Sequence, residues 1–203
     1  MPRGPDLVGL TVLALLSVKP SHPYEMHRLI LDTHKDYVTG LPRSLYHAVD
    51  RLAGDELIVP VETSRQGRRP ERTVYRLSEE GRAELATRLR RLLEEPGPDM
   101  RNFHAALSLI GCLPVREAER ALLTRAATLE SRIFACDAHM RSLEESGLPR
   151  LLVLELEYER ALRGAELDWV RSVLDRLGTG ELTWQDRLDF DVFGGPDEED
   201  PAV

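Results

Sequence analysis

Leu41-Pro-Arg-Ser-Leu-Tyr-His-Ala-Val-Asp-Arg-Leu52, then Leu57-Ile-Val59, an arginine-rich turn and Val74-Tyr-Arg-Leu77 read as a helix followed by a two-stranded wing. Leu45, Val49 and Leu52 stand at i, i+4 and i+7, one apolar stripe. Arg43, Ser44, His47, Asp50 and Arg51 are left on the other faces, a composition that suits a DNA groove. From Arg65 to Arg76 there are five arginines and one glutamate around Gly67 and Pro70, so positive charge gathers in the turn where phosphates can lie. Helix plus basic wing points to a winged helix-turn-helix.

Working outward, Asp6 is placed to cap a first helix to about Val18, whose dense apolar content predicts burial on more than one side. Lys19-Pro-Ser-His-Pro23 breaks the chain, and Pro23 fits the first turn of a second helix to about Thr33, with Met26, Leu29 and Ile30 inward. Ser78 is expected to cap a fourth helix to about Glu94, its hydroxyl accepting from a first-turn amide while Glu79 and Glu80 complement the dipole. Glu95-Pro-Gly-Pro98 cannot continue that helix and marks a boundary.

Beyond it, a short apolar helix is expected near Phe103 to Cys112. From Pro114, Leu122, Ala126, Leu129, Ile133, Cys136, Met140 and Leu143 form a heptad seam. Gly147-Leu-Pro149 turns the chain into a second long helix with Leu151, Leu154, Tyr158, Leu162, Ala165, Trp169, Val173 and Leu177 along one face. Such a hairpin has more apolar surface than its own seam buries, and pairing with a second copy covers the remainder. The interface is expected to include Leu122, Leu129, Ile133, Met140, Leu143, Leu162 and Trp169.

The organisation that follows is mainly α. Residues 1–95 form a winged helix-turn-helix DNA-binding domain, 96–114 a connector with a short helix, 115–178 a helical dimerisation domain and 179–203 an acidic tail too poor in apolar residues to fold alone. The formal net charge of −8 seems at odds with nucleic-acid binding, but the acid lies almost all in the second half. Residues 1–95 hold 15 basic and 14 acidic side chains, and the remainder 12 and 21. Arginine supplies 25 of the 27 basic residues; a G+C-rich genome is the larger cause of this bias, bidentate phosphate and guanine contact the smaller.

Cys112 and Cys136 lack CxxC spacing or a histidine at ligand spacing, so they read as buried thiols rather than a disulfide framework or zinc site. His22, His27 and His34 lie close in sequence without metal-ligand spacing. The apolar run from Leu7 to Val18 is too short to span a bilayer and no cleavage pattern follows it, which makes the cytoplasm the expected compartment.

Several stretches together resemble the PadR family of bacterial transcriptional regulators, over roughly residues 7–177. His22-Pro-Tyr-Glu25 is similar to that family's His-Gly/Pro-Tyr-Glu signature. Ser44-Leu-Tyr46 with Leu52 and Leu57-Ile58 resembles its recognition-helix motif, and Arg69-Pro-Glu-Arg72 with Tyr75-Arg-Leu-Ser-Glu-Glu-Gly81 resembles its wing and exit. The hairpin from Pro114 to Leu177 is similar, by pattern, to the longer C-terminal dimerisation domain of one branch. Asp55 departs from the usual pattern, and so does Asp50, an acid on the presumed DNA side. The resemblance implies a dimeric, usually repressing regulator whose ligands, in some members, are phenolic acids or aromatic drugs.

The expected function is therefore a homodimeric, sequence-specific repressor of double-stranded DNA with a near-palindromic operator, released by a small aromatic effector. Arg43, Ser44, Tyr46, His47 and Arg51 on the helix and Arg65, Arg69 and Arg72 on the wing are the expected DNA-binding residues. Tyr46 divides evenly between core packing and a phosphate hydrogen bond. Tyr158 and Trp169 are the candidate effector residues, although large aromatics at helical spacing more often simply pack. The rival is a winged-helix module that binds another protein and never grips DNA tightly. No triad, phosphate loop or paired-carboxylate motif points to an enzyme, and neither a cofactor nor a metal is expected.

Overall fold

A computed structural model of the protein describes residues 4–64 and 72–184. The chain divides into two compact units, Met1–Ala86 and Thr87–Thr183. The elements in order are α1 (Leu7–Val18), α2 (Pro23–Asp32), α3 (Arg43–Gly54), β1 (Ile58–Ser64), β2 (Arg72–Leu77), α4 (Glu79–Glu94), α5 (Met100–Ser108), α6 (Val115–Glu145) and α7 (Leu154–Gly178). Short 3-10 turns at Ile110–Cys112 and Arg150–Val153 precede α6 and α7.

In the first unit α1 is the central helix. Leu10, Val12, Leu13, Ala14, Leu15 and Leu16 are all buried, as an apolar sequence without a polar face requires, and α1 packs on α3 and β2. Asp6 caps it, Oδ1 accepting from the Gly9 amide at 3.0 Å. The second helix opens on a reciprocal cap: His22 Nδ1 accepts from the Tyr24 amide at 3.1 Å, and Glu25 Oε2 accepts from the His22 amide at 2.9 Å. Pro23 at the first helical position gives up no needed donor, and Met26 and Ile30 anchor the helix in the core.

β1 and β2 pair antiparallel, Ile58 opposite Leu77, with a bulge between Pro60 and Glu62 that leaves Val61 exposed. On its other edge β2 is joined by Ser21, which exchanges two backbone hydrogen bonds with Tyr75 at 3.0 and 3.1 Å. This bridge ties the segment between α1 and α2 to the wing. Ser78 then starts α4 as expected, accepting from the Gly81 amide at 2.9 Å and donating its own hydroxyl to the Leu57 carbonyl at 2.9 Å. A Cβ at Gly81 would lie 2.0 Å from that carbonyl oxygen, so the close approach of helix and strand requires glycine.

In the second unit α6 and α7 pack along each other as a hairpin. Leu89, Leu93, Leu109, Leu113, Ala118, Ala121, Leu122 and Leu129 are fully or almost fully buried there. Two expectations change. Leu122 and Leu129 are fully buried within the single chain and leave no surface for another, whereas Ile133, Met140 and Leu143 of the same seam keep part of theirs. The apolar face assigned to the second long helix is divided: its C-terminal members Val173 and Leu177 are buried, together with Leu167 and Val170 beside them, whereas Leu151, Leu154, Tyr158, Leu162 and Trp169 are exposed. The first of these stands in the 3-10 turn, not in α7. Of the two cysteines expected to be buried, Cys136 is and Cys112 is only partly so.

Candidate nucleic-acid interface

α3 is amphipathic about the predicted stripe. Leu45, Val49 and Leu52, joined by Ala48, are buried, which turns Arg43, Tyr46, His47 and Asp50 outward. At a residue step of about 100°, Arg43, His47 and Asp50 fall on one line along the helix, while Ser44 and Arg51 lie together on one flank. Tyr46, 45 % exposed, belongs to the surface and not to the core.

Local chemistry sorts these side chains. Arg43 Nε donates to His47 Nε2 at 3.3 Å, one helical turn away, so His47 holds its proton on Nδ1 in this arrangement. Ser44 donates its hydroxyl to the Thr39 carbonyl at 2.8 Å, closing the turn through Gly40, whose φ of 75° suits glycine. Arg51 reaches across to Asp6, the carboxylate that caps α1. It is thus a brace between helices as well as a surface cation. Arg65 and Arg69 lie outside the described residues; Arg72 is the first residue of β2. Most of the expected acidic tail, 185–203, also lies outside them.

The match to family models follows this geometry. Residues 12–87 match the "Transcriptional regulator PadR-like family", a span from α1 into α4 that takes in the whole helix-turn-helix and wing. The N-terminal unit is similar to a PadR-like domain over that span. Among solved structures the chain is similar to Bacillus subtilis PadR in complex with operator DNA, at 18% identity over 86% of this chain and 99% of that one, with a TM-score of 0.42. It is similar also to a PadR-like transcriptional regulator from Bacillus cereus, at 18% identity over 87% and 99% of the two chains and a TM-score of 0.37. A Streptococcus mutans protein follows at 19% identity, 82% and 98% coverage and a TM-score of 0.37. No curated protein matches the chain. Over residues 12–87, less than half of the chain, the protein is similar to a family of transcriptional regulators, and its mainly helical architecture is the one read from the sequence.

The hairpin that follows the PadR-like domain carries the remaining candidate residues. Ile133, Met140 and Leu143 are half-buried, and Leu162 and Trp169 are each 47 % exposed. Trp169 meets Phe103 edge-on, ring centroids 6.0 Å apart. Phe103 in turn lies under the Arg125 guanidinium, whose carbon is 3.6 Å from the ring centroid. Tyr158 stands apart, 65 % exposed. A recess of about 630 Å³ near the hairpin turn is lined by Met140, Leu148, Val153, Arg150, Arg160 and acidic side chains, without Tyr158 or Trp169.

Sequence reasoning passed over Arg125, although it stands three residues after Leu122 and four before Leu129 on the buried seam, where a charge demands a partner. It also passed over Leu123 and Phe134, exposed apolar side chains of α6 off the heptad line. Among the described residues no helix is long and apolar enough to cross a membrane, and no histidine, cysteine or carboxylate group is arranged to hold a metal ion.

Proposed function

We propose that this protein is a homodimeric, sequence-specific DNA-binding transcriptional regulator, acting as a repressor. α3 enters the major groove and the basic wing lies along the phosphate backbone. The observation that carries this reading is the outward line of polar side chains on α3 within a PadR-like domain. Dimerisation is supported by the stripe Leu151, Leu154, Tyr158, Leu162 and Trp169, each of which keeps about half or more of its surface in water in the single chain. Two-fold pairing would make the operator near-palindromic. A flat aromatic effector settling beside Trp169 would relieve repression if it bound better to the subunit arrangement that cannot span both half-sites.

The test is selection of bound fragments from genomic DNA, followed by titration of a selected site against salt. Affinity should fall steeply with salt, and Arg69→Ala or Arg72→Ala should each reduce the slope by about one while weakening all sequences alike. Absence of any enriched sequence, with weak and sequence-blind binding, would return the domain to a protein-binding role.

A further inference from the structure

The side chains of α3 do not share one task. Arg43, in the first turn, is anchored through Nε to His47, and its two terminal nitrogens have no partner among the described residues. A guanidinium held at Nε still presents two parallel N–H donors, the fork that matches guanine O6 and N7 in the major groove. Arg51 differs, since one of its two terminal nitrogens is engaged by Asp6, which breaks up the paired fork, and its neighbour on that flank, Ser44, closes the preceding turn.

Asp50 indicates what the Arg43 line faces. It is exposed, on the same line as Arg43 and His47, and has no ion pair among the described residues. A carboxylate aimed at phosphates would be repelled, whereas one aimed at base edges meets amino donors such as cytosine N4. The line therefore suits the groove floor, and the Arg51 flank suits contact with the protein itself.

We infer that Arg43, positioned by His47, reads a guanine in each half of the operator, and that Arg51 reads no base. This rests on the assignment of α3 to the major groove, and the experiment separates the two. The full-length chain and its variants Arg43→Ala, Arg43→Lys, His47→Ala, His47→Gln and Arg51→Ala are each used to select sites from a random DNA library. Selected sites are then measured with every single-base change. The wild-type half-site contains a guanine whose replacement weakens binding by about ten- to a hundredfold, the range of one bidentate contact.

Arg43→Ala makes that position indifferent and leaves the other positions intact, and Arg43→Lys, without the planar fork, discriminates less. His47→Ala lowers discrimination at the same position only, and His47→Gln restores it, because the amide oxygen can accept the Arg43 N–H. A role for His47 in stability alone would not produce that rescue. Arg51→Ala keeps the consensus unchanged while its melting temperature falls. The inference is overturned, with the regulator reading intact, if Arg43→Ala retains every base preference or if Arg51→Ala loses one. If the wild-type chain selects no consensus, both fall together.

Discussion

Arg125 donates Nε to Glu166 Oε1 at 2.6 Å, and its Nη1 lies 3.2 Å from the carbonyl oxygens of both Leu92 and Leu93. One buried guanidinium thus satisfies the last carbonyls of α4 and joins α6 to α7. Burial lowers the pKa of Arg125, and Glu166 opposes that shift. The side chain is 3 % exposed and Glu166 31 %. A cation so placed is tolerated because it is paired and hydrogen-bonded, and its pairing partner is the sensitive point.

Glu166→Gln should therefore cost about 3 kcal/mol, because it leaves a buried charge uncompensated. Arg125→Met, similar in bulk and uncharged, should cost less. Urea denaturation of the two variants gives the comparison. The opposite order would mean that the bonds to the Leu92 and Leu93 carbonyls matter more than the ion pair.

Leu162→Glu and Leu129→Glu should fail in different ways. The first places a charge on the exposed stripe of α7 and is expected to give folded monomers; the second buries a charge in the hairpin and is expected to unfold it. Sedimentation and circular dichroism together separate these results. A Leu162→Glu chain that remains dimeric at nanomolar concentration removes this face from the interface.

Two glycines should respond to alanine with opposite signs. Gly54, at the end of α3, has open space around a new Cβ and a helical backbone, so Gly54→Ala should stabilise by about 0.4–1 kcal/mol through the unfolded chain. At Gly81 the added carbon would meet the Leu57 carbonyl oxygen at 2.0 Å, a backbone atom that cannot swing aside. Gly81→Ala should destabilise by about 1–3 kcal/mol, as overpacking does. Thermal melts give both signs, and a neutral Gly81→Ala would show that α4 can move off β1 cheaply.

The turn of the hairpin should loosen only in acid. Arg160 lies 2.8 Å from Asp137 and Arg150 2.6 Å from Glu157, and each guanidinium's hydrogen bond holds its carboxylate below the usual range. A carboxylate depressed in the fold contributes stability above its unfolded pKa, about 4, and loses it as pH falls through the lowered value. Both pairs are exposed to water, so the effect is small. Hydrogen exchange at the end of α6 and the start of α7 should be flat from pH 8 to 5, once corrected for intrinsic rates, and rise relative to the Asp137→Asn, Glu157→Gln double variant below about pH 4. A rise between pH 7 and 5 would point to a different titrating group.

Features governed by near neighbours were legible in the chain before any fold was known. The stripe of Leu45, Val49 and Leu52, the Asp6 and Ser78 caps and the proline breaks each depend on residues within one or two turns, where helix geometry alone sets the distances. Partner choice is of another kind. Arg51 meets Asp6 across 45 residues, Arg125 meets Glu166 across 41, and no local periodicity encodes either encounter. The same holds for the apolar surface of α7. Periodicity cannot tell Leu162 from Val173: eleven residues apart at about 100° each, they fall within about 20° of one line of α7, yet Val173 is buried and Leu162 is half in water. What separates them is about 16 Å along the helix axis, because packing covers that line at one level and not at another, and only the tertiary structure decides which.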